Sequence, residues 1–138
     1  MTRLALLAWA CGLPLAAAAA APSALSAPEV ARLARGEQVY ARCAACHAIE
    51  GNRTGPQHCG LFGRRAGTAP GFDGYSGAMR ASGIVWDART LDLFLKDPPA
   101  TVPGTAMGYA GVKDDGDRAA LIAWLRHATR PGAACTPR

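Results

Sequence analysis

The sequence predicts a small all-α protein, in which a few helices and long loops wrap around a group that the chain itself does not supply. Apolar residues recur at helical spacing in three segments, and no stretch has a pattern that convincingly predicts a strand. Glycine and proline are frequent, at 16 and 10 of 138 residues, and residues 43–86 carry a glycine every few positions. A loop that long is unusual in a compact domain. A bound group is therefore expected to complete the core.

The three predicted helices have recognisable ends. The first runs from Pro28 to Arg42, because proline is tolerated in a first turn. The second begins after Asp87, a good N-cap residue, and Pro98-Pro99 ends it. The third begins after Asp114 or Asp115 and stops at Pro131-Gly132. Their apolar positions are Leu33, Val39 and Tyr40, then Leu91, Leu93, Phe94 and Leu95, then Leu121, Ile122, Trp124 and Leu125.

Residues 1–21 have the pattern of a secretory signal peptide. Arg3 precedes an uncharged run that ends in alanines before Pro22, and small residues of this kind precede cleavage sites. The alternative is a retained membrane anchor, since the run approaches spanning length. Export predicts a periplasmic location, where thiols are oxidised or bound. The remaining chain divides into a linker and helix start at 22–35, one domain at 36–130 and a tail at 131–138.

The charge pattern argues against a nucleic-acid partner. Fifteen basic and ten acidic residues leave a net charge of +5, and the basic residues are spread along the chain. Nucleic-acid binding surfaces usually cluster basic residues, and no such cluster occurs here. The length allows one small domain, without a fused catalytic module.

Cys43, Cys46 and His47 form a C-x-x-C-H motif, the attachment signature of c-type haem. Two thiols at this spacing can add to the two vinyl groups of one haem, and the adjacent histidine is then placed as the proximal iron ligand. A thioredoxin-like redox pair would need a βαβ pattern, and a zinc site would need a second ligand pair. The sequence has neither, so it predicts one covalently bound haem c as the missing core.

The second axial ligand has four candidates: His58, His127, Met79 and Met107. His58 follows the motif too closely to reach the opposite haem face, and His127 lies in the last helix. Met79 is expected to pack in the core. Met107 follows a stiff turn at 102–106 and is favoured, and a His/Met pair raises the iron potential toward that of an electron carrier.

From Gly36 to about Thr129 the chain resembles a class I c-type cytochrome, the group of mitochondrial cytochrome c and its soluble bacterial relatives. The resemblance implies a small all-α fold whose N- and C-terminal helices cross near the haem edge. Gly36 and Tyr40 would then meet Leu121 and Trp124. The motifs that carry the resemblance are Cys43-Ala-Ala-Cys-His47, Gly55-Pro56, Gly60-Leu-Phe-Gly-Arg64, Gly83-Ile-Val-Trp86, Pro103-Gly-Thr-Ala-Met107 and Leu121-Ile-Ala-Trp124.

The resemblance also implies roles for individual residues. The Pro56 carbonyl would accept a hydrogen bond from His47, which fixes the ring orientation. The residues that match positions bonded to the haem propionates are Arg64, Tyr75, Trp86 and Thr105. Cys59 and Cys135 lie in regions that are neighbours in the family fold, so a disulfide between them is expected.

The implied function is one-electron transport without enzymatic activity, between partners such as a cytochrome reductase, an oxidase or a dehydrogenase, by a monomer. The alternatives are a membrane-tethered subunit of a redox complex and a peroxidase-like haem enzyme.

Three features of the sequence depart from the family pattern and are expected to affect the redox properties of the protein or its binding to partners. Phe94 replaces a tyrosine that contacts the methionine sulfur, and Met79 replaces a polar residue. Uncharged residues fill three places where lysines usually surround the haem edge: Pro99, Ala100 and Ala106.

Overall fold

The computed structural model describes residues 24–132 and residue 135. The signal-peptide expectation for residues 1–21 lies outside the described residues. Five helices follow one another in the described part, and a short turn or a long loop separates each from the next. They are α1 (Ala27–Tyr40), α2 (Gly77–Ala81), α3 (Ala88–Lys96), α4 (Pro98–Thr101) and α5 (Asp115–Ala128).

The three long helices confirm the predicted all-α class, and two short helices were not predicted. Ser76 begins α2 because its hydroxyl accepts from the N–H of Met79 at 3.1 Å. Asp97 begins α4 in the same way, accepting from the N–H of Ala100 at 3.2 Å. The sequence predicts only that Pro98-Pro99 ends the second long helix, and this expectation is incomplete. The two prolines follow the end of α3 and also form the first turn of α4, where a missing N–H costs nothing.

Helices α1 and α5 form the main helix–helix contact. Gly36 lies so close to Ala120 and Trp124 that a Cβ at this position would collide with α5. One turn later, the rings of Tyr40 and Trp124 pack with centroids 4.5 Å apart. Leu121 is fully buried between them and the rest of the core. The crossing therefore depends on a glycine that allows the two backbones to approach.

The rest of the described chain is mostly loop. Within residues 24–132 and 135 there is no strand, and Arg65 and Val85 form an isolated antiparallel bridge across the central loop. Buried apolar residues from this loop join those of the helices in a single core, among them Leu61, Met79 and Trp86. Among the described helices, none has the length and apolar character needed to cross a bilayer.

Candidate functional site

One cavity of about 350 Å³ lies between the central loop and the helices. All nine residues that the sequence assigned to haem binding contribute to its lining, although they come from six separate parts of the chain. They are Cys43, Cys46, His47, Pro56, Arg64, Tyr75, Trp86, Thr105 and Met107. The other lining residues are mainly apolar. Such a cavity suits a flat apolar group that carries a few polar substituents.

The end of α1 places the C-x-x-C-H motif at the cavity. The N–H of Cys43 donates to the carbonyl of Tyr40 at 2.8 Å, and the N–H groups of Cys46 and His47 donate to the carbonyl of Cys43 at 3.0 and 2.9 Å. These tight turns bring both sulfurs and the imidazole to one side. The two thiols are not bonded to each other. Burial raises the pKa of the Cys43 thiol, so this cysteine is in its neutral form at pH 7.

His47 is oriented by its immediate neighbours. Its Nδ1 lies 2.8 Å from the carbonyl oxygen of Pro56, which can only accept, so Nδ1 carries the proton. Burial lowers the pKa of the ring. The neutral imidazole therefore keeps a lone pair on Nε2. Gly55 is required here, because a Cβ would lie 2.5 Å from Cε1 of His47.

His58 supports His47 in a way that the sequence did not predict. The two rings stack with centroids 4.6 Å apart and planes 20° from parallel. The hydroxyl of Tyr40 lies 3.2 Å from Nδ1 of His58. Burial, followed by the neighbouring His47, lowers the pKa of His58 to about 3. His58 is thus a neutral ring at pH 7 that packs against the imidazole of His47, and no local sequence signal marks this role.

The two methionines occupy different environments. Met79 is a core residue, 6% exposed. Met107 is only half-buried, and its N–H donates to the Thr105 hydroxyl at 3.3 Å. Both line the cavity, as does His58, whereas His127 does not. The structure therefore removes His127 from the four candidate ligands and leaves a choice among the other three.

Arg64 fits a carboxylate inside the cavity. Its Nη1 donates to the carbonyl of Cys59 at 2.7 Å, and its Nη2 donates to that of Gln57 at 3.0 Å. The Nε atom is buried and has no partner within the described residues. A buried N–H of a charged group is costly to leave unpaired. A haem propionate would supply the missing acceptor, so the residues present fit the group that the motif implies.

Tyr75 and Trp86 also line the cavity. The hydroxyl of Tyr75 accepts from the N–H of Ala69 at 3.3 Å, which leaves its own proton free to donate. Trp86 is 7% exposed and packs against Phe94 with ring centroids 5.1 Å apart. Phe94 lines the cavity too. The position that the resemblance associates with a tyrosine therefore presents only an apolar ring.

Cys59 and Cys135 are joined by a disulfide across 76 positions of sequence. The bond connects the C-terminal tail to the loop that holds the Arg64 guanidinium. Next to it, the N–H of Gly60 donates to the carbonyl of Thr129 at 2.9 Å. The loop is thus joined at adjacent positions to the tail, through Cys135, and to the end of α5, through Thr129.

Removal of this disulfide is expected to destabilise the fold. A cross-link over a long loop typically contributes about 2–4 kcal/mol to the free energy of unfolding. We expect the variant Cys59→Ala/Cys135→Ala to lose a similar amount in denaturant titrations of the haem-loaded protein. The same loss should follow reduction of the unmodified protein. An unchanged unfolding midpoint in both experiments would show that the bond does not contribute to stability.

Comparisons with known proteins agree with this geometry. The family model Cytochrome c matches residues 33–129. Cytochrome c2 from Blastochloris viridis is 41% identical over 125 residues, which cover 88% of this chain and 94% of that one. Cytochrome c2 from Rhodomicrobium vannielii is 45% identical over 94 residues, which cover 66% of this chain and 74% of that one. The structure of cytochrome cH from Methylobacterium extorquens has a TM-score of 0.66 and 40% identity, over 69% of this chain and 97% of that one. The chain therefore belongs to the cytochrome c family, whose members bind haem c covalently and carry electrons without being enzymes.

Proposed function

We propose that this protein is a periplasmic one-electron carrier, with one haem c attached through Cys43 and Cys46 and ligated by His47 and Met107. The observation that supports this most strongly is the presence of two thiols, an oriented imidazole and a thioether on one cavity. When bound, the haem supplies a ferric/ferrous couple. The side chains position it, exclude water and tune its potential.

Each proposed ligand has a supporting contact. The Pro56 carbonyl fixes the tautomer of His47, and a hydrogen bond from the ring nitrogen that does not bind the metal orients metal-bound imidazoles. Thr105 contacts the backbone N–H of Met107 and limits where the thioether can lie. Met79 is buried at the third position of α2, where its N–H donates to the Ser76 cap, which favours a packing role over ligation.

We propose that Arg64, Tyr75, Trp86 and Thr105 hold the haem propionates. Arg64 carries most of this argument, because its unpaired Nε is the one buried polar side-chain atom without a partner among the described residues. Burial lowers the pKa of Arg64, but a guanidinium stays charged in proteins. A positive charge at this point offsets the cost of burying a carboxylate.

Partner recognition is expected to depend little on charge. Arg42 lies at the exposed edge of the cavity, and its guanidinium is 3.3 Å from the carboxylate of Asp117, which partly neutralises it. Ala106 and Gly108, which also line the cavity, are exposed and uncharged. Steering toward an acidic partner is therefore weak. We propose that the chain acts as a monomer between a reductase or dehydrogenase and an oxidase, with a membrane attachment only if residues 1–21 are retained.

The Phe94→Tyr variant is expected to raise the midpoint potential. A hydroxyl that donates to the Met107 sulfur withdraws electron density, which ferric iron needs more than ferrous iron. A neutral hydrogen bond contributes roughly 0.5–1.5 kcal/mol. A tenfold change in the equilibrium constant of a one-electron couple corresponds to about 59 mV. The rise should therefore be about 20–65 mV in a redox titration. Phe62→Tyr is the matched control, because Phe62 does not line the cavity, and it should leave the potential unchanged. An equal or lower potential in Phe94→Tyr contradicts the argument.

The proposed function can be tested on the protein isolated from a periplasmic fraction. A spectroelectrochemical titration should give one reversible one-electron transition, and the mature protein should begin after residue 21. A high-spin ferric spectrum together with turnover of peroxide would favour an enzyme. Recovery of the haem protein only in membranes, with residues 1–21 intact, would favour the tethered subunit.

A further inference from the structure

Arg118 is the one strongly buried charged side chain among the described residues, at 3% exposure. It lies in α5 and does not line the haem cavity. A buried guanidinium is costly unless its N–H groups are paired. Buried ion pairs can often be replaced by apolar residues without loss of stability. Stability alone is therefore a weak explanation for a charge at this position.

The Arg118 guanidinium joins three parts of the chain. Its Nε donates to Oδ1 of Asp92 in α3 at 2.7 Å, and its Nη2 donates to Oδ1 of Asp115 at 2.8 Å. Both aspartates are substantially exposed, at 43% and 82% of their side chains. The third contact is buried in the protein, where Nη1 donates to the carbonyl oxygen of Val112 at 3.0 Å. The two carboxylates can turn to water if Arg118 is lost, whereas the buried Val112 carbonyl cannot.

Val112 lies at the far end of the segment that follows the proposed iron ligand, residues 108–113. It is 1% exposed, and its N–H donates to the carbonyl of Leu95 at 2.7 Å. Among the described residues, it is the first after Met107 whose N–H donates to another backbone group. Just before it, Gly111 has a φ of +95° and approaches the Lys96 carbonyl too closely for a Cβ. Backbone hydrogen bonds between described residues therefore fix the 108–113 segment only at its far end, and within its length Tyr109 packs partly against the core.

The other side of Met107 is fixed by a turn, in which the N–H of Thr105 donates to the carbonyl of Val102 at 2.9 Å. Met107 thus lies between two fixed points. The Leu95 carbonyl accepts a hydrogen bond from the N–H of Val112, and the Arg118 guanidinium donates one to the Val112 carbonyl. Loss of the Arg118 contact would leave Val112 with one hydrogen bond instead of two, while the Lys113 ammonium would keep its contacts with the Lys96 carbonyl and the Asp97 carboxylate at 2.8 and 3.0 Å. The segment could then move away from the cavity more often.

We propose that Arg118 is a positioning residue for Met107, which keeps the thioether at the iron by fixing the end of the 108–113 segment. The inference depends on the ligation by Met107 proposed above. Its chemical consequence is a lower population of the state in which the sixth iron position is open. An added ligand binds only this open state, so its apparent affinity reports the open fraction directly.

Imidazole binding to the ferric haem-loaded protein tests the inference. We expect Arg118→Met to raise the apparent imidazole affinity about tenfold, equivalent to about 1.4 kcal/mol. Arg118→Lys retains the charge but lacks the planar fork, so it should give a smaller increase. If Arg118→Met yields no haem protein, Arg118→Lys is compared with the same controls. Unchanged affinity in the variant that folds overturns the proposal.

Two controls separate positioning from general loss of stability. Arg35→Met removes the ion pairs that join Arg35 to Asp114 and Asp117, without a contact to the 108–113 segment, and should leave imidazole affinity unchanged. Val39→Ala truncates a buried side chain of α1 that does not line the cavity. If Val39→Ala raised the apparent imidazole affinity as much as Arg118→Met does, at an equal loss of stability, that result would contradict a positioning role. Failure of Met107→Ala to change the iron spectrum would instead refute the ligation on which the inference depends.

Discussion

Replacement of both Cys43 and Cys46 by serine is expected to abolish covalent haem and leave the chain largely unfolded. The cavity of about 350 Å³ is lined mainly by apolar side chains, which would face water instead of haem, and this removes much of the burial that a small domain needs. Small domains have a total stability of only about 5–15 kcal/mol. The helices therefore lack the buried surface to fold alone, and the loss of haem should remove most of the helical circular dichroism.

The measurement is the mass and haemochrome spectrum of the denatured protein. The unmodified protein should keep its haem through denaturation and acid acetone extraction, and the double serine variant should release or lack it. The other two cysteines provide the matched control, since Cys59→Ala/Cys135→Ala should retain covalent haem. Haem that stays attached in the double serine variant would show that the attachment site is elsewhere.

Met107→Ala is expected to abolish the weak far-red sulfur-to-iron band of the ferric protein and to lower the midpoint potential. The band requires a thioether on the iron, and an axial methionine raises the potential relative to other ligands. Met79→Ala is the matched control. Because Met79 is buried, its truncation should cost about 2–5 kcal/mol of stability but leave the band in place. A band that survives in Met107→Ala and disappears in Met79→Ala would reverse the assignment.

The long helices could be predicted because their signals are local. Proline near the start of α1, Asp87 before α3 and the acidic residues before α5 each determine a helix end within a few positions. The short helices could not be predicted in the same way. Five residues after Ser76 are too few to show a period, and Pro98-Pro99 can either end one helix or begin another. The surrounding packing decides between these two outcomes.

The site could be predicted to the extent that it depends on adjacent residues. The C-x-x-C-H motif identifies its residues by spacing alone, and the turn before Met107 is visible in Pro103-Gly104. His58 and Arg118 act through contacts that only the folded chain creates. Arg118 meets Asp92 across 26 positions of sequence. The stacking of His58 on His47 depends on the path of the loop between them, which glycine and proline content does not specify.

The central claim is that the iron lies between His47 and Met107, and proton magnetic resonance of the ferrous protein tests it most directly. The methyl group of an iron-bound methionine lies over the haem face, so the ring current shifts its resonance far upfield. We predict one such resonance, assigned to Met107 by its absence from Met107→Ala and its presence in Met79→Ala. A shifted methyl resonance that belongs to Met79, or a ferrous spectrum without any, would contradict the claim.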